Sequence, residues 1–202
     1  SHFLFFITKR WYHTFPLSKR SDCEGDVWDH RLYPTADKGI YTRIDALRLA
    51  ADGTINPGVW NKLYKSALWK DIRFPEGHVY ENVDTTYRVV NLCSTVCVID
   101  EPLYMYRKRQ GAITEVVSAK NVNDWLMARS HFEDFIKENI PDAFSDEHLR
   151  RFYRSRLNQM ISFYVSLSKQ DGDEEKTLSG ELRKRFIELR SAIGLEKCSR
   201  ST

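Results

Sequence analysis

No stretch of this 202-residue sequence comes near the ~20 consecutive apolar residues that a bilayer-crossing helix requires. The apolar opening Phe3-Leu4-Phe5-Phe6-Ile7 is too short for that and lacks the flanks of a secretory signal, so it reads as a buried strand. Cysteine is scarce. Of Cys23, Cys93, Cys97 and Cys198, only Cys93 and Cys97 stand close together, and no second Cys or His pair follows to complete a zinc site. Free thiols in a reducing cytosol are the expectation, and with them a cytoplasmic location. The net charge of +3 is too small to single out nucleic acid. What is present is a core-forming composition, 42% hydrophobic and 29% charged, in a length that suits one domain with an appendage. Ser1-His2 reads as a tag remnant, which would put the natural start elsewhere.

Aromatic, β-prone residues fill 3–7 and 10–15, and Val27, Trp28, Leu32 and Tyr33 suggest a further extended stretch. Thr42 three residues before Asp45 marks a helix start, with Asp52-Gly53 as its end. Asn56-Pro57-Gly58 is a turn. From Val59 to Trp69 the spacing of Leu63, Ala67 and Leu68 predicts a helix. Val83, Tyr87 and Val90 mark another helix, and Val96 to Ile99 a buried strand. Beyond residue 118 the periodicity is helical throughout. A first helix stops at Pro141, and a second opens at Ser145 with Leu149, Tyr153, Met160, Ile161 and Tyr164 inward. A third is capped by Thr177.

Five segments then fall in a telling order. They are Val59-Trp60-Asn61-Lys62-Leu63-Tyr64, Ile72-Arg73-Phe74-Pro75-Glu76-Gly77, Tyr80-Glu81-Asn82-Val83, Ile99 to Arg107, and Arg109-Gln110-Gly111-Ala112-Ile113-Thr114. Together they resemble the C-terminal half of bacterial family 2 glycosyltransferases, over roughly residues 42–114. The resemblance implies an α/β fold of the GT-A type (the nucleotide-diphospho-sugar transferase sandwich), here incomplete. Residues 1–116 would form the acceptor-side half and 117–202 a helical C-terminal extension. The implied reaction is inverting transfer of a sugar from a nucleotide-sugar donor to a glycan or lipid-linked acceptor, in surface polysaccharide synthesis.

Such a transfer needs a base for the acceptor hydroxyl. Family members place an aspartate where this chain has Asn82, and a neutral amide takes no proton at physiological pH. Glu81 or Asp84 stands in, or no competent base is present. Asp84 lies about 200° round a helix from Asn82 and is the poorer substitute. The resemblance places Arg107, Lys108 and Arg109 on the donor-side loop, where cations meet a leaving diphosphate, with a solvated face as the alternative for this run. Lys62 reaches the diphosphate or is a solvated helix lysine. Trp60, Asn61 and Lys62 belong to the substrate-facing motif, and Trp60, Tyr64, Tyr104 and Tyr106 stack on sugars or pack in the core. The aspartate pair that would hold Mn or Mg is expected only in a missing N-terminal half. Asp171-Gly172-Asp173 sits in a polar linker with no strand before it.

Because that half is missing, the chain is expected to be inactive in isolation, as a fragment or a natural truncation. A catalytically inactive module that binds a glycan or a partner is the competing reading. The basic tail residues Arg150, Arg151, Arg154, Arg156, Arg183, Lys184 and Arg185 are interleaved with acids, which disfavours nucleic acid and favours a solvated face. The alternative for them is peripheral contact with an anionic membrane.

Overall fold

In the computed structural model, residues 36–99 and 117–194 are described in full, and the strands at 3–8, 11–15, 27–29 and 104–107 by their backbone. The chain falls into two compact units, Ser1–Glu76 with Glu81–Val116, and Gly77–Tyr80 with Val117–Thr202.

The first unit is mixed α/β. Strands β1 (Phe3–Thr8), β4 (Gly39–Thr42), β5 (Lys62–Tyr64) and β6 (Thr95–Ile99) form a sheet ordered β4-β6-β1-β5. β1 runs parallel to β6, pairing Leu4 with Val96 and Thr8 with Ile99, while β4 and β5 join antiparallel. A second sheet orders β3 (Val27–Asp29), β2 (Trp11–Phe15) and β7 (Tyr104–Arg107), with β2 and β7 parallel. Val96 and Val98 alternate inward along β6, as a half-buried strand requires.

Helix α1 (Arg43–Ala51) starts where Thr42 accepts a hydrogen bond from the Asp45 backbone N–H at 3.2 Å and donates to its carboxylate at 2.7 Å. It ends at Asp52, where Gly53 takes the left-handed conformation with φ 87°. α1 packs on β4, β6 and α2 (Glu81–Asn91), burying Ala46, Leu47, Val89 and Val90.

The helix expected over Val59 to Trp69 is absent. Lys62–Tyr64 pairs with β1 instead, followed by a single 3-10 turn at Ser66–Trp69. Edge pairing overrode the periodicity: Leu63 is exposed and only Leu68 reaches the core.

The second unit packs α3 (Ala119–Asn139), α4 (Asp146–Leu167) and α5 (Asp173–Ala192) around Val122, Trp125, Met160, Phe163, Leu178 and Leu182. Ser145 opens α4 in a capping box with His148. The buried stripe of α4 runs through Phe152, Met160, Phe163 and Leu167, so Ile161 and Tyr164, expected inward, face out. Gly172, not Thr177, precedes α5. Thr177 lies inside the helix and donates back to the Asp173 carbonyl at 2.8 Å. Leu32, Tyr33, Cys23, Cys198 and Arg109 to Thr114 lie outside the described residues.

Two carboxylates, Asp124 buried and Glu133 half-buried, tie this unit together. Glu133 on α3 accepts from Tyr153 (2.9 Å) and Arg156 (2.7 Å) on α4, and from Lys137 on its own helix. Asp124 accepts from Lys120 (2.7 Å) and the Val79 N–H (3.0 Å), with His78 Nδ1 at 3.2 Å, and so holds the 77–80 segment to α3. Tyr80, in that segment, is left-handed at φ 64°, a strain of about 1–2 kcal/mol. The Tyr80 ring packs edge-on to Phe163 at 6.3 Å.

Burial pushes the Asp124 carboxyl up, but Lys120, Val79 and His78 together outweigh it and leave it below its ordinary value of 3.8. Its stabilisation is therefore present above that value and lost as pH falls through the lowered one. Asp124→Ala is expected to cost about 1–3 kcal/mol at neutral pH. In urea titrations the gap to wild type should close in acid; a gap constant with pH would show that the carboxylate charge is not what matters.

Candidate functional site

Of the residues singled out above, Trp60, Asn61 and Lys62 lie on the loop from Asn56 to Lys62 and Glu81, Asn82 and Asp84 on α2, all in the first unit. The Asn56 side chain accepts from the Gly58 N–H at 2.6 Å and so closes the turn. A Cβ on Gly58 would lie 2.9 Å from both the Trp60 ring and Asn56 Oδ1, so glycine is what lets the indole cover the turn. Thr86 on α2 donates to the Pro57 carbonyl at 2.7 Å and fixes the loop against that helix. Asn82 stands one turn before Thr86 and shares the same helix face.

Lys62 is neither helical nor solvated. Its ammonium donates to the carbonyls of Asn56 and Gly58 and, at 2.8 Å, to Oδ1 of the buried Asn61. All three of its donors are thereby engaged, so it meets no diphosphate without giving one up. The residue as a whole is half-buried, but its charged end is enclosed, and burial lowers its pKa to about 7.

Asp84 is buried and engaged as well. Its carboxylate pairs with Arg88 at 3.3 Å and has the Tyr87 hydroxyl at 3.5 Å. Glu81 and Asn82, both half-buried in the first turn of α2, have no side-chain partner among the described residues. Tyr64 stands edge-on to Trp69 at 5.2 Å, and Trp69 lies 5.2 Å from Phe74, an aromatic cluster that anchors the 64–74 stretch. Tyr106 and Arg107 lie on β7, in register with His13 and Thr14 of β2, with only their backbone described. Arg109 falls outside the described residues.

The described residues offer no set of three or more His, Cys, Asp or Glu side chains able to hold a metal. Asp171 is fully exposed and 3.5 Å from Lys176, and Asp173 opens α5, so this pair does not fit one. Asn56, Gly58 and Thr86 were not foreseen as parts of the site. The turn signal marked the first two, and nothing in the sequence marks Thr86.

No family model and no solved structure matches this chain. Over 69 residues, 34% of its length, it is 33% identical to Glycosyltransferase GlyA of Streptococcus pneumoniae serotype 4. It is similar to a glycosyltransferase. The chain spans about 9% of that protein's length, so the similarity reaches one segment of a much larger molecule.

Lys62→Met leaves three oxygens without their donor and is expected to destabilise the chain by about 1–3 kcal/mol. Because the folded value near 7 lies below the unfolded 10.5, wild-type stability should rise with pH between them, as the unfolded chain alone stays protonated. Urea midpoints at about pH 7 and about pH 10 test this. Equal slopes for wild type and variant would show that the amine titrates normally.

Proposed function

We propose that this chain is the acceptor-side part of an inverting, family 2 glycosyltransferase of GT-A type, acting in a longer protein or complex on a nucleotide-sugar donor. One observation carries the reading. In the first turn of α2 a carboxylate and an amide, Glu81 and Asn82, have no side-chain partner among the described residues, beside a loop fixed by Lys62, Gly58 and Thr86. The similarity to a named glycosyltransferase supports the reaction class.

In this mechanism the acceptor hydroxyl gives its proton to the Glu81 carboxylate as its oxygen attacks the anomeric carbon. The bond from that carbon to the diphosphate breaks on the opposite face, and the nucleoside diphosphate leaves. Asn82 orients the hydroxyl through its amide and takes no proton. Asp84 plays no part, since binding a proton would cost it the Arg88 pair. Trp60 offers its face to a sugar ring, and Arg107 and Arg109 supply the donor-side cations.

A second reading, an inactive glycan- or partner-binding module, is favoured by the amide at position 82 and by the enclosed ammonium of Lys62. Transfer by the full-length protein separates the two. Glu81→Gln is expected to lower turnover about 100-fold or more, and Asn82→Asp to raise it. Unchanged turnover in Glu81→Gln would remove Glu81 as base, and absence of turnover in wild type and Asn82→Asp alike would leave the binding module.

A further inference from the structure

The outer side of the α4–α5 pair carries apolar side chains that its core does not use. Ile161, Tyr164 and Val165 on α4 are 46%, 37% and 43% exposed, and Ile187 on α5 is 56% exposed. Between the helices runs a groove of about 260 Å³ lined by Met160, Ile161, Tyr164, Leu182 and Phe186, with Arg183 its one charged lining residue. That volume lies below the ~300 Å³ at which pockets begin to enclose small ligands, and the lining lacks the convergent polar groups that orient one.

Cations flank this apolar surface. Arg150 and Arg154 precede Ile161 by about three and two turns and share its stripe, and Arg183 and Lys184 lie about one turn before Ile187. None of these four has a carboxylate partner among the described residues. Arg151 and Arg156, by contrast, pair with Glu147 and Glu133. Arg156 therefore points into the bundle and drops out of the basic surface. Glu147, the acid nearest the α4 stripe, is held by Arg151, and Glu181 and Glu188 fall about 100–120° round α5 from Ile187.

An exposed apolar stripe with unpaired cations along its borders needs an anionic partner with an apolar interior. A second copy using the same face would set these cations against each other. The apolar residues are spread along both helices rather than gathered at one anchor point, which suits a plane better than a single inserted side chain. Tyr164, with an apolar ring and a polar tip, is the residue type that rests at a lipid–water boundary. We propose that this face lies on an anionic lipid surface, with Ile161, Val165 and Ile187 entering the acyl boundary and Arg150, Arg154, Arg183 and Lys184 meeting the phosphate headgroups.

The test is flotation of the 202-residue chain with vesicles of phosphatidylcholine containing about 30 mol% phosphatidylglycerol, against phosphatidylcholine alone. Binding should need the anionic lipid and fall several-fold between about 0.05 M and about 0.3 M salt. Ile161→Ser with Ile187→Ser, and separately Arg154→Glu with Arg183→Glu, should each weaken it about tenfold or more. All four positions are exposed, and far-ultraviolet circular dichroism confirms that the helices persist. Arg185→Glu, on the far side of α5, should leave binding unchanged. No binding at low salt, or equal binding by wild type and both pairs of variants, overturns the proposal. So does binding to polyglutamate without binding to vesicles, which assigns the face to an acidic protein, or self-association abolished by the isoleucine pair, which assigns it to a second copy.

Discussion

One lysine side chain holds the candidate site in shape. The segment from Asn56 to Asn61 is neither helix nor strand, so its carbonyls find no partners in a regular ladder. Lys62 collects two of them and the Asn61 side chain on a single cation. While it is protonated its charge strengthens these hydrogen bonds, and three converging acceptors offset part, though not all, of the cost of burying that charge. The position of Trp60 over Gly58 and the docking of Pro57 on Thr86 both presuppose that fixed loop. Lysine there is structural first, whatever else it does when a ligand arrives.

The carboxylates divide by the same logic. Asp84, Asp124 and Glu133 are buried or nearly so, and each is surrounded by donors. Each is committed to its protein partners, and taking up a proton there would leave a cation or an N–H without its acceptor. Glu81 differs in having no such partners among the described residues. A base must be within reach of substrate and unencumbered by the protein, and among the acids of α2 only Glu81 meets the second condition.

Parts of this were legible in the sequence. Thr42 and Ser145 announced helix starts through hydroxyl capping, and the α3–α5 periodicity is long enough to be unambiguous. Where the spacing failed, a tertiary contact had won. Leu63 to Leu68 reads as helical, yet pairing with β1 drew Lys62–Tyr64 into a strand. On α4 the inward phase through Leu149, Tyr153 and Tyr164 lies about one residue from the true one, because aromatic and aliphatic residues populate both faces. That excess of apolar residues is itself the signal of a second face, one that a core-only reading absorbs. Within the site, the motif residues were visible, but the bond from Thr86 to Pro57, the left-handed Tyr80 and the enclosure of Lys62 arise from three-dimensional contacts that no spacing encodes.

Asn82 is the position on which recognition and turnover separate. An amide matches a carboxylate in shape and keeps one acceptor oxygen, so it can hold a hydroxyl in place as well as an aspartate would. It differs in adding an N–H donor and in never taking a proton at neutral pH. In the proposed reaction the base must then be a neighbour about 100° round the helix, at Glu81. The attacking oxygen would be oriented by one side chain and deprotonated by the next, where an aspartate at position 82 would do both from one point. A two-residue arrangement of that kind demands more exact placement of the acceptor, because orientation and proton transfer no longer share an atom. In that reading the loop from Asn56 to Lys62, held by its own hydrogen bonds and by Thr86, would supply such a placement, and its fixed shape would then be part of the chemistry rather than a property of the fold alone.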